Sequence, residues 1–135
     1  MSTPINGGCP FCTENGKVNI LFQNDTAYLI AVLDGEGKVM PGCYFIIPKM
    51  HIESVRQLPA GWQESVNQLL GKIPDIAHGR RPFNLSYNEE QAAGQRVPHV
   101  HMWVIMRSHD STLPSYGLGL AALISKIDQT TKVEE

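Results

Sequence analysis

No run of apolar residues in this sequence is long enough to cross a bilayer. No basic cluster stands out either. The 11 Lys and Arg face 13 Asp and Glu, a formal net charge of -2, which argues against a nucleic-acid or membrane-surface footprint. The start of the chain lacks the positive region and apolar stretch of a secretory signal. Cysteine is scarce: there are 3, an odd count, and two of them sit in Cys9-Pro10-Phe11-Cys12. That disfavours a disulfide framework and favours metal or free thiols in a reducing compartment, so the protein is expected in the cytoplasm. Internal repeats, interdomain linkers and βαβ alternation are also missing. What remains is 135 residues, 42% hydrophobic and 18% charged, enough for one ordinary globular domain with a real core. The expected domain is 1–135, with 1–8 as a flexible lead-in and 128–135 as a fraying tail.

Residues 18–22 and 27–33 are apolar with β-branched members and flank Asn24-Asp25, which reads as a β-hairpin. Residues 34–38 form a loop by composition. Residues 44–47 are continuously apolar, as in a strand buried on both faces, and Pro48 ends the run. From 59 to 78 the period becomes helical: Trp62, Val66, Leu69, Leu70, Ile73, Ile76 and Ala77 recur at three- and four-residue steps. Pro59 is expected near the first turn, Pro74 to kink or shorten the last turns, and Gly79 to stop the helix. Residues 83–88 and 97–106 read as strands joined by a loop containing Gly94. Leu120, Leu123, Ile124 and Ile127 suggest a short C-terminal helix. Several strands around one helix argue for an α+β fold with an antiparallel sheet.

The stretch 97–106 carries the chemistry. Strand alternation puts Val97, His99, His101, Trp103 and Ile105 on one face, and Val100, Met102, Val104 and Met106 on the other. The second face is apolar and suits a core. On the first, the two imidazoles stand roughly 6–7 Å apart, two strand residues at about 3.3 Å each. Such a pair suits a ligand, a base or a nucleophile. It equally suits two partly exposed histidines without a role. Cys9 and Cys12 form half of a tetrahedral zinc site. A redox role for this pair would need a thioredoxin-like context, which the chain lacks.

Gly94-Gln95-Arg96-Val97-Pro98-His99-Val100-His101 resembles the signature of the histidine triad (HIT) superfamily, G-Q-[S/T]-V-x-H-x-H-x-H. Upstream, Asn84-Leu85-Ser86-Tyr87-Asn88 and Ala92-Ala93-Gly94 look like the strand and loop that lead into the triad. Pro41-Gly42-Cys43-Tyr44-Phe45-Ile46-Ile47-Pro48-Lys49-Met50-His51 is similar to its P-G-H-x-L-V-I-P-K-x-H segment, and Cys9-Pro10-Phe11-Cys12 to the start of its zinc-containing bacterial members. The resemblance implies a five-stranded antiparallel sheet packed against a helix. It also implies a homodimer, to which an apolar Trp62 helix face would contribute.

The resemblance further implies a nucleotide substrate and assigns roles. His101 matches the histidine that attacks phosphorus, its ring expected to project into an open cleft with one nitrogen held by an acceptor. Gln95 matches the glutamine on the α-phosphate, Asn88 an asparagine facing ribose and phosphate, and Gly94 the glycine that lets the backbone approach. Asp34 falls where an aspartate holds the ribose hydroxyls. Phe11 and Leu33 fall where apolar residues line the base pocket, although both suit plain core packing. Cys9, Cys12, His51 and His99 match the ligands of a structural zinc ion. The alternative is free thiols with hydrogen-bonded histidines.

The chain departs from the pattern at three places. Trp103 replaces the third histidine. Indole donates one hydrogen bond or stacks, and cannot shuttle a proton, which counts against poor leaving groups. Packing alone is the other reading of Trp103. Arg96 replaces serine or threonine, either as a bidentate phosphate clamp or as a solvent-facing side chain. Cys43 replaces the histidine of P-G-H and reads as a small buried residue. His78 and His109 match no motif and read as surface residues. The leading expectation is a hydrolase acting on a nucleoside phosphoramidate, a dinucleoside polyphosphate or a related nucleotide ester through a covalent His101 intermediate. The alternatives are a nucleotidyl transferase to a non-water acceptor and a nucleotide-binding module with little turnover.

Overall fold

Asn24 closes the first hairpin. Its side-chain oxygen accepts from the N–H groups of Thr26 (3.1 Å) and Ala27 (2.9 Å), and its own N–H donates to the Ala27 carbonyl at 3.0 Å. This short polar side chain substitutes for backbone partners in the turn. In the computed structural model, which describes residues 8–12, 18–76 and 82–107, the turn joins β1 (Ile20–Gln23) to β2 (Ala27–Leu33). A second turn at 34–38 leads into β3 (Val39–Pro48). Then come α1 (Trp62–Leu70), α2 (Ile73–Ile76), β4 (Phe83–Tyr87) and β5 (Met102–Met106). The five strands form one sheet in the order β1-β2-β3-β5-β4, every neighbour antiparallel. This is the expected α+β architecture.

The central strand β3 has two buried faces, as its unbroken apolar run requires. Tyr44 and Ile46 pack with Ala27, Leu29, Met102, Val104 and Met106 beneath Trp62, Val66, Leu69 and Ile73. Cys43, Phe45 and Ile47 pack on the opposite face with Ile30 and Val32, flanked by Phe11, Met40 and Trp103. One face of the sheet therefore holds the helix, and the other holds the chemistry-bearing residues. Alternation along β5 divides Met102, Val104 and Met106 from Trp103 as the sequence pattern requires.

The expected helix at 59–78 is shorter and broken. Pro59 lies in the turn before it, accepting from the Trp62 N–H at 3.1 Å, and Gly61 caps the start with φ 86°. The break at Gly71-Lys72 follows from Pro74, which has no N–H to offer and whose ring crowds the carbonyl four residues earlier. The helix face carrying Trp62 is buried within the chain's own core, so it is not a dimer surface. Trp62 Nε1 also donates to the Tyr87 hydroxyl at 2.7 Å, tying the helix to the edge strand.

The strand expected at 97–106 begins only at Met102. Pro98 cannot donate to a ladder, His99 N–H turns back to the Val97 carbonyl at 2.8 Å, and Val100 N–H reaches Ile52 at 2.6 Å. Both histidines thus sit on irregular backbone just before the strand. The expected lead-in, C-terminal helix and tail, with Gly79, His78 and His109, lie outside the described residues, apart from Gly8. No helix among the described residues is long and apolar enough to cross a membrane.

Candidate functional site

His99 and His101 face different partners, separated by the ring of Phe11. Phe11 makes edge contacts with both, at centroid distances of 6.0 Å to His99 and 5.0 Å to His101. On the His99 side, one donor atom each from Cys9, Cys12, His51 and His99 lie within 4.8 Å of one another. The Cys9-Pro10-Phe11-Cys12 turn, closed by Cys12 N–H to the Cys9 carbonyl at 3.2 Å, presents both sulfurs. Cys12 Sγ lies 3.2 Å from His51 Nδ1, and His99 Nδ1 lies 3.6 Å from Cys9 Sγ and 3.7 Å from Cys12 Sγ.

These four donors fit a tetrahedral metal. Zinc with its usual bond lengths separates a sulfur and a nitrogen ligand by about 3.6 Å. The outer ring nitrogens set the tautomers. His99 Nε2–H donates to the Pro48 carbonyl at 2.8 Å and His51 Nε2–H to the Glu53 carboxylate at 3.2 Å. With these partners on Nε2, each ring turns its Nδ1 toward the sulfurs, as a metal ligand must. Burial pushes the Cys9 thiol above its ordinary pKa, and a neighbouring positive charge would favour the thiolate.

On the other side of Phe11, His101 Nδ1–H donates to the His99 carbonyl at 2.8 Å. This leaves Nε2 as the basic nitrogen. The ring is packed edge-on against Phe11 and against Phe45 at 4.8 Å, and it is only 6% exposed. The ring forms part of the wall of a cavity of about 390 Å³. Burial pushes the His101 pKa down, the hydrogen bond to the His99 carbonyl opposing this, so the ring is neutral near pH 7.

The cavity brings together most of the residues singled out in the sequence. Phe11, Leu33, Asp34, Gly94, Arg96, His101 and Trp103 all line it. Trp103 stands beside Phe45 in the β3–β5 register, its ring 4.6 Å from the Phe45 ring. Asp34 Oδ1 accepts from the N–H groups of Glu36 (2.8 Å) and Lys38 (2.9 Å). The Lys38 N–H first, then that of Glu36, hold its carboxyl below the usual range, so it is ionised.

Gln95 and Asn88 lie outside the cavity wall. Both ends of the Gln95 amide are engaged with backbone: Oε1 accepts from Glu90 N–H at 2.8 Å, and Nε2 donates to the carbonyls of Glu53 (3.0 Å) and Val97 (3.2 Å). In this arrangement Gln95 braces the loop. Asn88 packs over Gly94, whose φ of 103° favours glycine. Gln95 and Arg96 border a second, charged cleft with Glu53, Arg56, Glu89 and Glu90.

Sequence reasoning missed Phe45 as a wall of the site, although alternation from Tyr44 and Ile46 would have placed it on that face. It also missed Glu53, two residues after His51, and the Pro48 carbonyl, for which no sequence signal exists. Cys43 is buried, as expected of a small core residue.

The family model described as HIT domain matches residues 15–110. An adenylylsulfatase from Arabidopsis thaliana is 28% identical over 119 residues, which cover 83% of this chain. The chain spans 58% of the length of that curated relative. Among solved structures, a histidine triad protein from Clostridium difficile is similar at TM-score 0.63 and 21% identity, covering 87% of this chain and 100% of that one. A zinc-bound histidine triad family protein from Mycobacterium smegmatis is similar at TM-score 0.61 and 19% identity, covering 90% and 96%.

Proposed function

The chain belongs to the HIT domain family, and from that premise we propose that it hydrolyses a nucleotide through a covalent nucleotidyl intermediate on His101. The observation that carries this reading is the His101 ring itself. Its proton is held by the His99 carbonyl, and it forms part of the wall of an apolar cavity that also holds an ionised aspartate. A nucleoside suits such a space. Phe11, Phe45, Leu33 and Trp103 offer apolar surface to a base, and Asp34 an acceptor to ribose hydroxyls. Gly94 offers backbone close to a phosphate, and Arg96 a fixed positive charge. Gln95 and Asn88 support this wall from behind by shaping the loop that carries Gly94 and Arg96.

His101 Nε2 attacks phosphorus, the bond to the leaving group breaks, and water then cleaves the phosphorus–nitrogen bond and restores the neutral ring. The relative from Arabidopsis thaliana, named as an adenylylsulfatase, supports a nucleotide substrate. We assign zinc to Cys9, Cys12, His51 and His99, supported by the donor set, the tautomers and the zinc-bound relative from Mycobacterium smegmatis. Held by these four residues, the ion would be structural and would tie the N-terminal turn to the backbone that holds His101. The reading includes a single domain over 1–135, a homodimer and a cytoplasmic location.

The test is mass spectrometry of protein quenched during turnover of adenosine 5′-phosphate derivatives. A nucleotidyl adduct on His101 is expected. Turnover with the adduct on another residue, or with none, overturns the proposal. Breakdown of the adduct that requires an added acceptor rather than water assigns a transferase instead.

A further inference from the structure

We infer that Glu53 is a positioning residue. It joins the cysteine and histidine cluster to the loop that forms one wall of the His101 cavity, so that binding at either site strengthens binding at the other. The inference rests on the zinc and nucleotide readings above and adds the link between the two sites.

Glu53 makes contacts in two directions. Its carboxylate accepts from His51 Nε2–H at 3.2 Å, while His51 Nδ1 faces Cys12 Sγ at 3.2 Å. Its backbone carbonyl accepts from Gln95 Nε2 at 3.0 Å. A chain of polar contacts thus runs from Cys12 through the His51 ring and Glu53 to the Gln95 amide. Gln95 stands between Gly94 and Arg96, both of which line the cavity. Its Oε1 accepts from the Glu90 N–H at 2.8 Å. Glu90 has φ 70° and ψ 157°, a backbone conformation that a residue with a side chain rarely adopts. Such a conformation persists only where neighbours hold it, and the Gln95 amide is one of them.

The same segment steadies the other side of the site. The Ile52 carbonyl accepts from Val100 N–H at 2.6 Å, and the Pro48 carbonyl from His99 Nε2–H at 2.8 Å. Residues 48–53 therefore hold both the cavity loop and the bend that carries His101. An uncoordinated imidazole turns about its side-chain torsions. A coordinated His51 ring is fixed, and its Nε2–H then holds the Glu53 carboxylate in one place. In the other direction, a nucleotide packed on Gly94 and Arg96 steadies Gln95 and, through it, Glu53. Linkage makes the two effects equal in size. Glu89 fastens the loop separately to Ser54 and Val55, so cutting the Glu53 contact loosens the wall without freeing it.

The experiment measures zinc affinity by competition with a chromophoric chelator, with and without adenosine 5′-monophosphate, and the affinity of the zinc-loaded chain for that nucleotide by calorimetry. The Glu53 side chain is largely exposed, so Glu53→Ala should fold, which thermal melting checks. If it does not fold, Glu53→Asp draws the carboxylate back from His51 and takes its place. Glu53→Ala should weaken zinc by about 10–100-fold, the usual effect of removing the carboxylate behind a metal-bound histidine. The nucleotide should tighten zinc by about fivefold or more in the wild-type chain and by less in Glu53→Ala. Glu53→Gln, whose amide oxygen still accepts from His51, should keep most of both effects. In a Gln95→Ala background, Glu53→Ala should still weaken zinc but no longer weaken the nucleotide, because the route is already cut.

Amide exchange in the zinc-loaded chain needs neither nucleotide nor catalysis. Glu53→Ala should speed exchange of the Glu90 N–H several-fold and leave the Ala31 N–H of the first hairpin unchanged. Unchanged zinc affinity in Glu53→Ala, unchanged Glu90 exchange, or additive losses of nucleotide affinity in the double variant overturn the inference. A nucleotide that does not bind removes the nucleotide reading, and zinc affinity and exchange then decide whether Glu53 joins cluster and loop. A chain that takes up no zinc removes the zinc reading and this inference with it.

Discussion

The backbone carbonyl of His99 accepts a hydrogen bond from the His101 ring at 2.8 Å. The residue whose imidazole faces the two cysteines thus also fixes the tautomer of the imidazole that faces the cavity. Whatever locks His99 in place therefore acts on the His101 ring through one peptide carbonyl and two residues of chain.

His101→Ala should leave the fold intact and reduce kcat/KM by on the order of 10⁴-fold or more, in the range found when a nucleophile is removed. Circular dichroism and steady-state kinetics check this together. A folded variant that retains most of its activity would exclude His101 as the nucleophile.

The cysteine and histidine cluster should hold about one zinc per chain in protein purified without chelator. Cys9→Ser should lower the zinc content and the melting temperature. Activity should fall as well, since the His99 carbonyl is held less firmly. Elemental analysis giving less than about half a zinc per chain would count against the site.

Gly94→Ala should destabilise the loop over the cavity. A left-handed backbone costs a side chain about 1–2 kcal/mol. The added carbon would also meet Asn88 Nδ2 at 3.2 Å, so Asn88 must move. Urea unfolding reads the loss of stability, and KM reads the displaced loop. An unchanged midpoint together with an unchanged KM would show that the loop tolerates a side chain here.

Glu89 supplies the acid-sensitive contact of the same loop. Its carboxylate accepts from the Ser54 hydroxyl at 2.7 Å and the Val55 N–H at 2.9 Å, beside Arg56. The Ser54 hydroxyl first, then the Val55 N–H, hold its pKa below the ordinary range. The folded chain therefore binds this proton more weakly than the unfolded chain does. The resulting stability is present above the ordinary glutamate pKa of about 4.3 and is lost as pH falls through the lower folded value. Glu89→Gln should flatten the fall in stability between about pH 5 and 3. Parallel pH profiles for the variant and the parent would refute this.

How far the sequence could be read varied along the chain. The hairpin at Asn24, the two-faced strand through Tyr44 and Ile46, and the Trp62 helix followed from periodicity and turn chemistry. Each depends on neighbours within a few residues. The extended reading of 97–101 failed because Pro98 has no N–H and the N–H of Val100 pairs with the distant Ile52. A pattern of alternation does not reveal where backbone hydrogen bonds go.

The family resemblance grouped Cys9, Cys12, His51 and His99, which the structure brings within 4.8 Å of one another, and Asp34 and His101, which line one cavity. It did not show that Gln95 turns its amide to backbone, that Phe45 completes the wall, or that the His101 ring is almost wholly buried. By itself the sequence determined the residue types: which side chains can ligate, attack, donate or only pack. The tertiary structure decided their partners and so their protonation. The Pro48 carbonyl selects the lone pair of His99, and the His99 carbonyl that of His101. The Pro48 contact spans 51 residues of sequence, and a hydrogen bond across such a gap exists only once the sheet has assembled.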